Sequence, residues 1–407
     1  MRCVDIGASL TIDGAVLLAS RALSQMSRSS NVAVIGAGVF GAWTALQVRR
    51  SGRSVTLVDA FGAGNTRSSS GGASRVLRIG YGSEAIYSEW AQRSFDAWQE
   101  LFGDGRQELF TRTGVLWMAR PDDPYTDETI ETFGRLRVPF EILDRTELDR
   151  RYPQFSLGPV TRGVLEPEAG VIMARHAVQA VVRQAVKQSV EYRVAAVTPP
   201  TDTGHVESVL TSDGDQITAD AFVFACGPWL PTLFPAVLGD RIHPTRQEVF
   251  FFGTEPGDRR FAPPAMPAWV DFAGGVYGLP DLEGRGFKIG LDHHGPPFDP
   301  DLGERLVSDD ALQVARMILA RRVPALETAP LLEARVCQYA NSWNGDFIID
   351  RHPDFDNVWL VGGGSGHGFK HGPAVGEYVA EQLSGRRAPE ARFTLEAHQE
   401  HRERGIY

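Results

Sequence analysis

Cysteine is scarce: Cys3, Cys226 and Cys337 are the only three in 407 residues. That is too few for a disulfide framework and fits a reducing compartment. No stretch approaches the ~18 consecutive apolar residues of a membrane span, so no membrane is expected as a partner. Runs of Lys or Arg long enough to track a phosphate backbone are also missing, and the net charge is −10. Nucleic acid and anionic membrane surfaces are thereby excluded as expected partners. A secretory signal is not expected either: Ala15 to Ala19 is apolar, but Asp5 and Asp13 precede it where basic residues belong. Residues 1–26 are expected to be a poorly ordered extension, with Met26 a natural start just before the first strand. The last residues, Arg402 to Tyr407, carry no Ser-Lys-Leu address, and 389–407 reads as a tail. The cytoplasm is the expected location.

What is present is a globular composition, 43% hydrophobic and 23% charged, long enough for two or three domains. Val32 to Ile35 is an apolar, β-branched run, as expected of a strand buried on both faces. It leads into Gly36, Gly38 and Gly41, which read G-x-G-x-x-G. In nucleotide binding the first glycine makes the tight turn and the second lets a pyrophosphate approach the backbone. The third allows the next helix to pack on the sheet. A helix is predicted over Val39 to Arg50, its free N–H groups and positive dipole end facing the phosphates. A second strand, Ser54 to Val58, ends in Asp59, where an acid would accept hydrogen bonds from a ribose diol. The motif serves FAD and NAD alike.

Beyond Asp59 lies a Gly/Ser-rich segment, Gly62 to Ala73, whose small residues permit close approach to a ligand. Arg75 and Arg78 follow at once. Ser83 to Leu101 reads helical, with Ile86, Trp90, Ala91, Phe95 and Trp98 near one face. Phe110 to Met118 reads as a strand entering another sheet. Polar helix and connection alternate over Asp122 to Leu148. A strand pair is predicted over Thr161 to Ile172, turning at Glu166 to Gly170, followed by a helix over Ala174 to Gln188. Strands are expected at Val190 to Val197 and at Ala219 to Ala225, where Gly227 again lets backbone pass a ligand. From His243 to His294 the pattern is strongly β, with Glu248 to Phe252, Gly275 to Gly278 and Gly286 to Leu291 not alternating with helices. They suggest an antiparallel sheet in a separate substrate domain. Two helical stretches are predicted over Leu302 to Arg322, and strand at Arg335 to Tyr339. Phe347 to Asp350, Val358 to Val361, the glycine-rich Gly362 to Lys370 and a helix from Pro373 to Leu383 repeat the strand–loop–helix pattern of the N-terminal unit.

These residues resemble the monomeric sarcosine oxidase and N-methyltryptophan oxidase group of the D-amino-acid-oxidase-like flavoproteins, from about Asn31 to Leu383. The resemblance rests on Ser74-Arg-Val-Leu-Arg78 with Gly80-Tyr-Gly82, Phe110-Thr-Arg-Thr-Gly-Val115, and Glu166-Pro with Gly170-Val. Arg246-Gln, Lys288-Ile-Gly and Cys337 add to it, as do Phe347-Ile-Ile-Asp350, His352-Pro and Gly364-Ser-Gly-His-Gly-Phe-Lys370. Cys337 and Lys370 stand at the separation the group requires. The resemblance implies an α/β fold: a Rossmann-like FAD-binding domain at 27–110, 173–240 and 330–388, and a β-rich substrate domain at 111–172 and 241–329. It also implies an FAD-dependent amine oxidase of monomeric state. The substrate would be a small secondary or N-substituted amino acid, with molecular oxygen reduced to hydrogen peroxide. An FAD-dependent amino-acid or hydroxy-acid dehydrogenase passing electrons to a quinone or protein acceptor is the alternative.

Residue by residue, the resemblance gives Cys337 as the covalent attachment to the flavin 8α carbon. It gives Lys288 as the lysine that assists reaction with oxygen, and Arg75 as a charge near the flavin ring. Arg78 and Lys370 match a pair that clamps the substrate carboxylate. With Tyr277 these are the candidate catalytic residues. Gly36, Gly38, Gly41, Asp59, Gly227, Gly366, His367, Gly368 and Cys337 are the candidate cofactor-binding set. Departures bear on substrate. Gly71 and Ala73 stand where sarcosine oxidases have histidine and aspartate, and Asp292 stands where they have a histidine, beside His293 and His294. An extra carboxylate there suits a substrate with a cationic or polyhydroxyl extension.

Overall fold

The apolar run before the glycine motif forms strand Asn31–Ile35, in the interior of a six-stranded sheet. The computed structural model describes residues 30–103 and 109–399. Within it the sheet order is Ile348–Arg351, Val358–Gly362, Ala221–Phe224, Asn31–Ile35, Ser54–Asp59, Glu191–Val194. Every pairing is parallel except the first. The expected N-terminal extension 1–26 with Cys3, and the end of the tail from 400 on, lie outside the described residues.

A parallel strand in such a sheet must be apolar on both faces. Val32 and Val34 join one core, with Trp43 and Val375 of the covering helices, while Ala33 and Ile35 join another, with Phe222 and Leu230. Helix Val39–Arg50 spans the predicted range, and Arg49 and Arg50 complement its C-terminal dipole. It packs against helix Gly372–Leu383. Gly372 and Gly376 lie one turn apart on that helix, and a Cβ on either would come within 2.6 Å of Trp43. These two helices, far apart in sequence, are thus locked together where only glycine fits.

The second sheet has eight strands in the order Leu331–Ser342, Ile242–Phe252, Phe287–Leu291, Val276–Leu279, Ala268–Asp271, Val115–Ala119, Arg162–Glu166, Glu141–Asp144. Its pairings are antiparallel apart from Val115–Ala119 with Ala268–Asp271. Alternation fixes its two faces. Phe250, Phe252, Phe287 and Ile289 face a core closed by Leu319 of helix Asp309–Arg322, and Val249, Phe251 and Lys288 face the other way. The segment 330–388 contributes to both sheets, because Leu331–Ser342 pairs with Ile242–Phe252 in the larger one.

Four expectations change, the first being that the stretch 122–148, expected as helix and connection, also holds the edge strand Glu141–Asp144. Arg162–Glu166 and Gly170–Ile172 both form, but not as a hairpin. The first joins the large sheet, and the second pairs with Arg75–Leu77 and Phe110–Thr111 in a small three-stranded one. The strand predicted over 110–118 breaks at Gly114, whose φ of +71° turns the chain between these sheets. The stretch 302–322 holds one helix, Asp309–Arg322. Its start is fixed by the Ser308 hydroxyl accepting from Ala311 N–H, while the Asp299 carboxylate accepts from Asp301 and Leu302 N–H and keeps that turn out of helix.

Helix Asp309–Arg322 ends in a buried ion pair. Arg322 pairs with Asp271 and also donates to the carbonyls of Ser156 at 2.9 Å and Leu157 at 2.8 Å. Arg120 reaches the same carboxylate at 3.4 Å from a more exposed position. Deleting one partner of such a pair strands a buried charge. Asp271→Ala is therefore predicted to lose ~3–5 kcal/mol in urea unfolding, and Arg120→Ala much less. Equal losses for the two variants would contradict the assignment of Asp271 as the partner Arg322 depends on.

Candidate active site

The glycine motif opens onto a cavity of ≈ 320 Å³ at the carboxyl ends of the parallel strands. Asn31–Ile35 leads on to Ser54–Asp59 on one side, while the next strands of this sheet after its neighbour Ala221–Phe224 lie on the other, the switch point at which ligands bind in such sheets. Gly36 has φ +103°, and a Cβ there would meet the Ala225 carbonyl oxygen at 2.4 Å. Gly41 lies against Gly36 and lets the helix approach the sheet. Gly38, Gly227 and Gly364 line the cavity, and a Cβ on any of them would meet no protein atom closer than 3.5 Å. Bare backbone thus faces open space, which fits the pyrophosphate of FAD. The Ser70 hydroxyl accepts from Val39 N–H at 3.0 Å at the helix start.

Asp59 accepts from Ala37 N–H at 2.7 Å and from Phe61 N–H at 2.9 Å. The Asn65 amide is a third, longer donor at 3.4 Å, and a ribose diol would share the carboxylate with these groups. Burial pushes its carboxyl above the ordinary range, and the surrounding backbone N–H groups work against that shift. Cys226 is in the wall of this cavity, its sulfur 3.4 Å from the Ile35 carbonyl, and burial raises its thiol pKa.

A second cavity of ≈ 90 Å³ adjoins the first, and Arg75, Tyr339, Gly366 and Phe369 line both. One wall is the open face of the eight-stranded sheet. Val270, Tyr277, Gly290, Val249 and Arg335 form a continuous cross-strand row on it. Gly290 lets the Tyr277 ring lie over it, since a Cβ there would sit 2.5 Å from that ring. Arg335, Cys337 and Tyr339, two apart on one strand, all reach this cavity. Burial raises the Tyr277 and Tyr339 hydroxyl pKa values, keeping both neutral.

Lys288 is opposite Phe251 in the ladder and 2% exposed. Its ammonium donates to the Ser74 carbonyl at 3.1 Å. Burial, reinforced by the Arg75 guanidinium, lowers its pKa to about 7. Arg75 donates to the carbonyls of Ser69 at 2.6 Å and Ser74 at 2.7 Å, and to the Cys337 sulfur at 3.4 Å. Burial works against its charge, but Cys337, Tyr277 and Tyr339 around it raise its pKa overall.

The remaining cations meet on one aromatic ring. The Arg78 guanidinium lies 4.5 Å from the Tyr81 ring centre and the Lys370 ammonium 5.0 Å. Arg78 also stacks on Trp117 and donates to the Gly80 carbonyl. Lys370 donates to the Tyr81 hydroxyl at 2.7 Å and to the His367 carbonyl at 3.0 Å. Burial, followed by the Arg78 charge, holds its pKa well below the usual lysine value. The Tyr81 hydroxyl is also 2.7 Å from His371 Nε2 and 3.1 Å from His367 Nδ1. His367 Nε2 lies 2.9 Å from the Gly345 carbonyl, so that nitrogen carries a proton. His367, expected among the cofactor ligands, lines only the second cavity and has both ring nitrogens engaged by the protein.

The structure brings Lys288, Arg75, Arg78, Lys370, Tyr277 and Cys337 to the second cavity. Gly36, Gly38, Asp59, Gly227 and Gly368 line the first, Gly366 lines both, and Gly41 is a packing glycine behind the wall. Sequence reasoning overlooked three residues. Glu166 is buried and accepts from Ile79 N–H at 2.7 Å and Trp117 Nε1 at 2.8 Å, which fixes the turn carrying Arg78. Burial raises its carboxyl pKa, opposed by those donors and Arg78. Tyr81 joins the two cations, and Tyr339 separates the cavities. Period-two spacing from Cys337 could have found Tyr339. Glu166 and Tyr81 carried no local signal beyond belonging to family-like segments.

The profile of the family described as FAD dependent oxidoreductase matches residues 31–382. Monomeric sarcosine oxidase from Bacillus sp. strain B-0618 is 29% identical over 368 residues, covering 88% of this chain and 92% of the relative. N-methyl-L-tryptophan oxidase from Citrobacter koseri is 28% identical, covering 87% and 94%. Among solved structures, L-proline dehydrogenase from P. horikoshii superposes with a TM-score of 0.79 at 21% identity, over 90% of this chain and 97% of that one, and this likeness speaks to the fold. Together with the glycine-lined nucleotide cavity, the profile match makes this chain a member of the FAD-dependent oxidoreductase family.

Proposed function

We propose that this protein is an amine oxidase acting on a secondary or N-substituted amino acid. The observation carrying this reading is the second cavity. It continues the cofactor cavity and is ringed by buried Lys288 and Lys370 and half-buried Arg75 and Arg78, all held by neutral or aromatic groups. FAD bound across the first cavity would supply the redox chemistry, taking hydride equivalents from the carbon next to the substrate nitrogen and passing them to oxygen as hydrogen peroxide.

Arg78 and Lys370 share the Tyr81 ring and face a common volume, so an incoming carboxylate meets a planar donor fork and a point charge together. Lys288 places a cation where negative charge accumulates on oxygen, without reorganisation when it does so. Cys337, in the wall beside Arg75, is the attachment point for the flavin. A guanidinium donating to its sulfur stabilises negative charge there, as a thioether-forming nucleophile needs.

The overall test is anaerobic. N-methylated or cyclic amino acids should bleach the flavin, and air should then restore the colour with release of one peroxide per imine formed. Bleaching by substrate without peroxide on aeration would instead indicate a dehydrogenase. Amines lacking a carboxylate should be poor substrates, and Arg78→Ala should cost ~2–4 kcal/mol in kcat/KM, since it leaves a buried charge unpaired. Equal turnover of an amine with and without its carboxylate would remove the clamp. Lys288→Met should slow reoxidation by oxygen ~100- to 1000-fold and barely change reduction by substrate. Because the lysine is cationic below its pKa, wild-type reoxidation should fall as pH rises through that pKa, and the variant should be flat. Equal slowing of both half-reactions would move Lys288 to a binding role. Finally, acid-precipitated holoprotein should remain yellow, and Cys337→Ser should release all of its FAD. Release of all FAD from the wild type would rule out the thioether.

A further inference from the structure

We propose that Asp292 selects substrates carrying a second cation, placed away from the carboxylate. For turnover this rests on the amine-oxidase reading above, and for binding it stands by itself. Asp292 is the one acidic residue among those lining the second cavity, where Arg75, Arg78, Lys288, Arg335 and Lys370 all contribute positive charge. It follows strand Phe287–Leu291 directly, and its N–H donates to the Gly275 carbonyl at 2.8 Å, continuing the ladder that pairs Val276 with Leu291. That bond fixes the residue at the end of the open sheet face. Its charge acts on Arg78, Lys370, Tyr277 and Tyr339, the groups around the cavity.

The cavity is therefore polarised along its length. Lys370 is buried at the inner end, with the Arg78 guanidinium beside it against Tyr81 and Trp117. Asp292 is half-buried at the rim, followed by the exposed His293 and His294. Phe272 and Tyr277, also half-buried, line the cavity, and Phe272 is held by stacking on Tyr125 with 4.4 Å between ring centres. An amino acid bound with its carboxylate inward would direct a basic side chain, or an aminoalkyl group on its nitrogen, at the Asp292 carboxylate between apolar walls. A charge-assisted contact of this kind discriminates strongly against an isostere that lacks the cation. The ligand class is a dicationic, monoanionic N-substituted amino acid.

Two matched pairs test this on the FAD-loaded full chain. In binding, 6-aminohexanoate and hexanoate are titrated against the flavin absorbance, and neither contains a secondary amine. The wild type should bind 6-aminohexanoate at least about tenfold more tightly. Asp292→Asn should bring the two within about twofold, and Asp292→Glu should keep part of the preference. In turnover, Nα-methyl-lysine should exceed Nα-methyl-norleucine in kcat/KM by a similar factor, lost in Asp292→Asn. If Asp292 only offsets the neighbouring cations, Asp292→Asn tightens both carboxylates equally and leaves the ratio unchanged, which overturns the proposal. A preference that survives in Asp292→Asn also overturns it, because an amide would then suffice. If no N-methyl amino acid reduces the flavin while the binding ratio behaves as expected, the amine-oxidase reading fails and the assignment of Asp292 stands.

Discussion

Burying several cations around one small volume is the constraint on which the site depends. A charge withdrawn from water costs several kcal/mol unless other groups replace the water. Here the replacements are largely neutral. Backbone carbonyls of Ser69 and Ser74 accept from Arg75 and Lys288, the Tyr81 hydroxyl and the His367 carbonyl accept from Lys370, and aromatic faces cover Arg78. The lowered pKa values of Lys288 and Lys370, driven by burial first, register the strain of this arrangement. Such a cavity is built to receive negative charge, whether a carboxylate, electron density on a reduced cofactor or the charge developing on oxygen.

The two sheets create this condition by dividing labour. The parallel sheet offers bare backbone at its carboxyl edge, where glycines leave room and the helix from Val39 directs its dipole. The larger sheet offers a face whose side chains alternate. Phe250 and Phe252 anchor it to the core under helix Asp309–Arg322, so Phe251, Lys288 and the row through Val249 and Arg335 must face the cavity. Glu166 ties the systems together: it ends a strand of the large sheet and holds the N–H groups of Ile79 and Gly80 that fix the turn after Arg78.

Where a feature is local, the sequence carried it. The helix over Val39–Arg50 and the turn at Gly36 follow from short-range rules of glycine spacing and apolar periodicity, and the structure keeps their boundaries. Where a feature depends on which distant strand becomes a neighbour, the sequence was mute or misleading. Arg162–Glu166 and Gly170–Ile172 looked like a hairpin because they are short, β-rich and separated by a turn, yet tertiary pairing sends them to different sheets. Tyr81 and Lys370 are 289 positions apart, so their hydrogen bond has no local trace. Family resemblance named Lys288, Arg78 and Cys337 in advance, but that they share one cavity with Asp292 at its rim is visible only in the fold.

The account's central claim, that an excess of positive charge defines this site, is tested most directly by the two-electron reduction potential of the bound flavin relative to free FAD. Cations enclosed next to the ring stabilise its electron-rich reduced form, so the account predicts a bound potential above the free value, falling when Arg75 is replaced by Met. A bound potential at or below that of free FAD, unchanged by that substitution, would contradict it.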